Sequence, residues 1–270
     1  MKILVVNGSP RGERSNTLRL TRAFTRGLCA AAPGSEVEEL DLSRMNLHEC
    51  GGCFTCWTKT PGRCVHPDDM NGALQKYLEA DALIFSFPLY YFSLPSRLKL
   101  FLDRTLPLSL PVMNPDSPYG GHPLRDERLL RKRMALISTC GFYTAEGNYD
   151  AVRAQFDRLW GAGNYAALFC GQGELFRRDQ THPIVLDLVS QRLELLERAG
   201  AEFAQGSVSA ETTEAAAQPC CRGRSLNPPP TPAGRCRSKK ITAASGAAFA
   251  RFADHAKKAA GITGGFLCLC

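Results

Sequence analysis

Apolar and polar positions along this chain fall into short runs that suit buried strands, separated by repeats at three- and four-residue spacing that suit helices. Lys2 to Asn7 reads Lys-Ile-Leu-Val-Val-Asn, a β-branched run suited to a strand buried on both faces. It stops at Gly8-Ser9-Pro10-Arg11-Gly12, which is turn chemistry. Ser15-Asn16-Thr17 then offers N-cap side chains before a helical pattern at Leu20, Phe24, Leu28 and Ala31, which Pro33-Gly34 ends. Val37, Leu40 and Leu42 mark a short second strand, followed by a cysteine-rich loop from Cys50 to Cys64. Pro67-Asp68-Asp69 opens a helix with Met70, Ala73, Leu74, Tyr77 and Leu78 on one face. Asp81 to Phe87 predicts a third strand broken by Pro88, and Pro95 opens a helix carrying Leu98, Phe101 and Leu102. Met134 to Thr139 predicts a fourth strand, Val152 to Trp160 a helix, Tyr165 to Cys170 a fifth strand, and Pro183 to Ala204 a long last helix.

Strands that alternate with helices in this way predict an α/β domain, a parallel sheet covered by helices on both faces. Residues 107 to 128 are too proline-dense for a regular element, and a loop of that length usually covers a site or an interface. The pattern dissolves from residue 205, so the expected division is a folded domain over 1–204 and a Pro-, Ala- and Gly-rich tail over 205–270. In that tail Pro228-Pro229-Pro230 favours extended polyproline, and only Ala247 to Ala260 suits a short helix.

Composition changes this picture in two places. There is no uncharged apolar run of about 18 residues and no signal-peptide layout, which points to a soluble, cytoplasmic protein away from the membrane. Twelve cysteines are then expected as reduced thiols or metal ligands. The net charge of +7 is concentrated after residue 205, where nine Lys/Arg face three Asp/Glu. The preceding domain is nearly neutral, so no specific nucleic-acid partner is indicated.

The chemistry converges on one edge of the expected sheet, because ligands in such folds lie beyond the carboxyl ends of the strands. The loop after the first strand points backbone N–H groups and hydroxyls where a phosphate can sit. Pro88-Leu89-Tyr90-Tyr91-Phe92 after the third strand can pack against a flat heteroaromatic ring, and Thr139 to Tyr143 follows the fourth. Separately, an ordinary capped turn and a core-facing aromatic cluster would explain these stretches; together they read as a mononucleotide site. Charge-assisted hydrogen bonds contribute about 1.5–3 kcal/mol each. Association costs on the order of 4–15 kcal/mol, so a phosphate loop alone would bind weakly and the ring-facing loops must add the margin.

Gly8-Ser9-Pro10-Arg11 with Ser15-Asn16-Thr17, then Pro88-Leu89-Tyr90-Tyr91 with Leu98-Lys99 and Phe101-Leu102-Asp103-Arg104, then Thr139-Cys140-Gly141-Phe142, resemble the NAD(P)H-dependent FMN reductase branch of the flavodoxin-like superfamily. The resemblance runs in matching order over roughly residues 1 to 210. It implies a three-layer sandwich with a five-stranded parallel sheet in the order 2-1-3-4-5. It further implies FMN with its phosphate on Ser9, Arg11, Ser15, Asn16 and Thr17 and its ring against Pro88, Leu89, Tyr90, Tyr91, Thr139, Cys140, Gly141 and Phe142. On this reading NAD(P)H is a co-substrate, the acceptor is a quinone, a flavin or another small molecule, or a redox partner protein, and the subunits form a homo-oligomer. An electron carrier without its own enzymatic turnover and a non-redox binding module remain as alternatives.

Cys50, Cys53, Cys56 and Cys64 form a C-x2-C-x2-C-x7-C pattern that resembles the compact motif of iron-sulfur flavoproteins in the same superfamily. Three thiolates this close can wrap the corners of a [4Fe–4S] cluster and a fourth can close it. Reduced structural or redox-active thiols, or zinc, also fit the pattern. Gly161-Ala162-Gly163-Asn164-Tyr165-Ala166 matches a dinucleotide fingerprint but follows a helix and precedes a strand, the reverse of the required order. NAD(P)H is therefore expected to dock transiently over the flavin.

Overall fold

In a computed structural model of the chain, residues 1–116 and 120–221 are described. The apolar run at the start forms β1 (Lys2–Asn7), and Ser15 caps α1 (Asn16–Ala31) by accepting a hydrogen bond from the Leu18 N–H at 3.1 Å. Next come β2 (Glu36–Asp41), the one-turn α2 (Thr55–Thr58), α3 (Met70–Glu79), β3 (Ala82–Pro88) and α4 (Ser96–Asp103). The chain continues through β4 (Arg133–Thr139), α5 (Asp150–Trp160), β5 (Ala166–Cys170), α6 (Pro183–Ala204) and α7 (Ala210–Ala217).

All four strand pairings are parallel, in the order β2-β1-β3-β4-β5, as the resemblance implied. Alternate side chains feed two cores. Leu4, Val6, Leu83, Phe85, Phe87 and Leu136 enter one with α3, α4 and α5, while Ile3, Val5, Ile84, Ala135 and Ile137 enter the other with α1 and α6. At the edge of the sheet, β2 buries only Leu40, and Val37 stays exposed.

The second core depends on a close helix crossing. A Cβ built on Gly27 of α1 would stand 1.9 Å from the Glu197 carbonyl oxygen, and one on Gly200 of α6 would stand 1.9 Å from that of Phe24. Glycine inside a helix costs about 1 kcal/mol against alanine, and here it lets the two backbones touch.

Ordered structure continues past the expected boundary at residue 204, and the compact unit runs from Met1 to Cys221. The reason is a long-range contact: Arg192 of α6, itself buried, donates to the carbonyls of Ala215, Ala216 and Gln218 and so caps the end of α7. Gln172 holds the following turn by accepting from the Cys220 N–H at 2.7 Å. The sequence expectations at Pro228-Pro229-Pro230 and Ala247 to Ala260 lie outside the described residues.

Within the described parts of the proline-dense stretch, the Leu110 N–H donates to the Pro123 carbonyl and the Arg125 N–H to that of Leu108. Among the described residues no helix is long and apolar enough to cross a membrane. The Gly161-Ala162-Gly163 run is a helix-ending turn, with Gly161 at φ +86° closing α5, which agrees with its rejection as a nucleotide loop.

Candidate functional site

The loop after β1 sits tight against α4, because a Cβ on Gly8 would fall 2.7 Å from Leu98 Cβ. The Ser9 N–H donates to Asn7 Oδ1, and Ser9 Oγ accepts from the Arg11 N–H at 3.3 Å. Ser15 spends its hydroxyl on the α1 cap, which leaves the Asn16 and Thr17 N–H groups of the first turn without intrahelical acceptors. These groups, with the positive end of a 16-residue helix behind them, can receive an anion.

The other two loops are tied to this one. Thr17 Oγ1 and Thr139 Oγ1 share a buried hydrogen bond of 2.6 Å, and the Leu89 N–H donates to the Thr139 carbonyl at 2.8 Å. Tyr90 and Ser93 exchange backbone bonds around a tight turn with Tyr91 and Phe92 at φ +48° and +60°. Two non-glycine residues in the left-handed region represent stored backbone strain. The turn holds Phe92 stacked on Phe142 of the third loop, with centroids 5.3 Å apart and planes within 14°.

Ser9, Arg11, Ser15, Asn16, Thr17, Pro88, Leu89, Tyr90, Thr139, Cys140 and Gly141 line one open cleft of about 500 Å³ counting its mouth. Of the residues expected there, Tyr91 and Phe142 stand off its wall: Tyr91 is 86% exposed, and Phe142 packs on Phe92. Gly173 and Glu174 complete the wall and were missed by the sequence reasoning. They belong to the loop after β5, and Gly171-Gln172-Gly173 at the end of that strand was the available signal. Asn16 Nδ2 donates to the Gly173 carbonyl at 2.9 Å, and Arg11 stands 3.8 Å from Glu174 in an exposed, loose ion pair.

The cysteine loop builds a second cavity. Cys50, Cys53, Cys56 and Cys64 line it with Arg104 and residues 106–107 behind them. Phe54 at φ +52° turns the chain into α2, and Trp57 donates its indole N–H to the Leu106 carbonyl, which fixes the loop against the end of α4. Hydrogen bonds from the Thr55 hydroxyl and N–H hold the Cys53 thiol below the usual thiol range. Burial, reinforced by the charge of Cys64, pushes Cys56 up. Among the described residues no group of three or more His, Cys, Asp or Glu side chains stands close enough to hold a single metal ion. The four thiols line a cavity rather than converge on one point.

Comparison with known proteins agrees with this architecture. An iron-sulfur flavoprotein of Methanocaldococcus jannaschii is 36% identical over 110 residues, 41% of this chain and 54% of the relative. An FMN-dependent NAD(P)H:quinone oxidoreductase of Pseudomonas aeruginosa is 30% identical over 149 residues, 51% of this chain and 67% of the relative. The chain thus spans about half to two thirds of the length of these curated relatives. Among solved structures, an NAD(P)H:quinone oxidoreductase from Methanothermobacter marburgensis superposes with a TM-score of 0.54 at 21% identity, covering 75% of this chain and 96% of that one, which is a likeness of fold. Residues 1–184 match the family described as flavodoxin-like fold, Flavodoxin_2, and with more than half of its length inside that match the chain belongs to this family.

Proposed function

We propose that the cleft at the carboxyl edge binds FMN and that the protein is an NAD(P)H-dependent oxidoreductase delivering electrons to a quinone, a flavin or another small acceptor. The observation that carries this reading is the meeting of the loops after β1, β3 and β4 around one cleft, with an anion-ready helix start at one end. Asn16 and Thr17 N–H groups, the Ser9 hydroxyl and the Arg11 guanidinium would hold the phosphate. Pro88, Leu89, Tyr90, Thr139, Cys140 and Gly141 would flank the ring, with the Phe92–Phe142 stack shielding its edge from water. FMN, when bound, supplies hydride acceptance and electron delivery, so no side-chain acid or base is required and the protein contributes orientation and access. NAD(P)H and acceptor would take turns at the open mouth of the cleft.

Fluorescence titration of the apoprotein with FMN tests the reading: saturable quenching is expected, and its absence overturns the assignment. With FMN bound, anaerobic NAD(P)H should bleach the yellow colour. A protein that holds FMN but bleaches only with another reduced protein would be an electron carrier.

A second reading concerns the cysteine loop, which in this proposal takes a [4Fe–4S] cluster supplying one-electron transfer. The four thiols around one cavity, backed by a buried guanidinium, support it, since a cube takes one thiolate at each corner. Cys50, Cys53, Cys56 and Cys64 would be the ligands. Anaerobic reconstitution should leave near four irons per chain, and an iron-free product excludes the cluster. We further propose that the protein is cytoplasmic and a homo-oligomer, with the proline-rich stretch over residues 107–128 near a neighbour's cleft. Light scattering in solution that returns the monomer mass contradicts this.

A further inference from the structure

The side chain of Arg104, at the end of α4, is 1% exposed and that of its partner Asp68 0%. The two form a bidentate pair, Nη1 to Oδ2 and Nη2 to Oδ1, each at 2.9 Å, and Nη1 also donates to the His48 carbonyl. The third nitrogen differs: Nε is buried and has no hydrogen-bond partner among the described residues. A charged N–H taken out of water and left unpaired is costly, and native proteins rarely tolerate it without a reason. Arg104 forms part of the wall of the cavity that the four cysteines surround. Burial works to lower its pKa, while the Asp68 hydrogen bonds, the charges of Cys64 and Asp68 and a side-chain hydrogen bond to Cys64 outweigh that and raise it.

We propose that Arg104 is the tuning donor of the cysteine cavity: its Nε–H hydrogen-bonds a sulfur of the metal–sulfur centre held there and sets that centre's reduction potential. The inference rests on the cluster reading of the cysteine loop. Asp68 and the His48 carbonyl occupy the two outer nitrogens, so the guanidinium cannot turn away, and Nε remains as a fixed, permanently charged donor. Reduction adds negative charge to such a centre, and a donor to its sulfurs favours the reduced state, because potentials of these clusters follow net charge and hydrogen bonds to sulfur. Thiolates are also the acceptors that would relieve the unpaired Nε.

The test uses the full chain reconstituted anaerobically with iron and sulfide, the potential read by spectroelectrochemistry. R104K keeps the positive charge beside Asp68 but lacks the Nε–H. With iron content unchanged, the preference for the reduced state should drop about tenfold, which is about 59 mV more negative for a one-electron couple. An unchanged potential in iron-replete R104K overturns the proposal. Should R104K not fold, the unaltered chain labelled with ¹⁵N-arginine decides: electron–nuclear double resonance of the reduced centre should reveal one coupled arginine nitrogen, and no coupling overturns it. A wild-type chain that takes up no iron overturns both the cluster reading and the role of Arg104, whereas a normal cluster with an indifferent Arg104 overturns only the latter.

Discussion

Replacing Asp68 by Asn removes a carboxylate that accepts from both outer nitrogens of Arg104 and from the His48 and Met70 N–H groups. Burial alone would raise the Asp68 pKa, but the Arg104 hydrogen bonds and those two N–H groups outweigh it and bring the carboxyl from 3.8 down to about 2. At about 1.36 kcal/mol per pH unit this corresponds to roughly 2.4 kcal/mol of stability. Asn loses that term and strands the guanidinium, so the full loss should approach the roughly 3–5 kcal/mol of a broken buried pair. The folded pKa lies below the unfolded one, so the contribution is complete above about pH 4 and disappears as pH falls through 2. Urea unfolding of wild type and D68N at pH 7 should show the full gap, and the gap should close between pH 4 and pH 2. A loss under about 1 kcal/mol at pH 7, the scale of a surface pair, would refute the reasoning.

Gly27→Ala and Gly200→Ala should each destabilise by about 1–3 kcal/mol or more, despite better helix propensity, because α1 and α6 must move apart; a stabilised variant in urea unfolding would contradict the crossing. Arg11→Ala should weaken FMN binding by roughly tenfold to a hundredfold and leave riboflavin nearly unaffected, and equal losses for both ligands would remove Arg11 from the phosphate. Iodoacetamide at pH 8 should modify exposed Cys53 first and spare Cys170, whose thiol is pushed up to about 12 by burial; mass spectrometry of early labelling that finds Cys170 ahead of Cys53 would contradict both environments.

Most element boundaries were legible because they rest on local chemistry, whereas the strand order followed from the family resemblance. β1, β3 and β4 are continuous apolar runs, Pro33-Gly34 and Pro88 are hard stops, and the predicted last helix coincides with α6. The cap at Ser15 came from the same reasoning, while the thirteen expected cofactor residues came from the family resemblance, and eleven of them line the cleft. Tyr91 and Phe142 stand off the cleft wall, and composition does not tell which ring of Tyr90-Tyr91-Phe92 turns inward. That choice is made by the left-handed turn at Tyr91 and Phe92.

Periodicity and punctuation along the chain sufficed for the α/β class, the three converging loops and the spacing of the cysteines. Contacts between residues far apart in the chain carried the rest: Gly173 and Glu174 on the cleft wall, Arg192 capping α7, Gly27 against Glu197, and Asp68 locking Arg104 behind the thiols. Local patterns record which face of an element is apolar, whereas pairings across 20 or more residues leave no period to read, and they form only once packing brings the elements together.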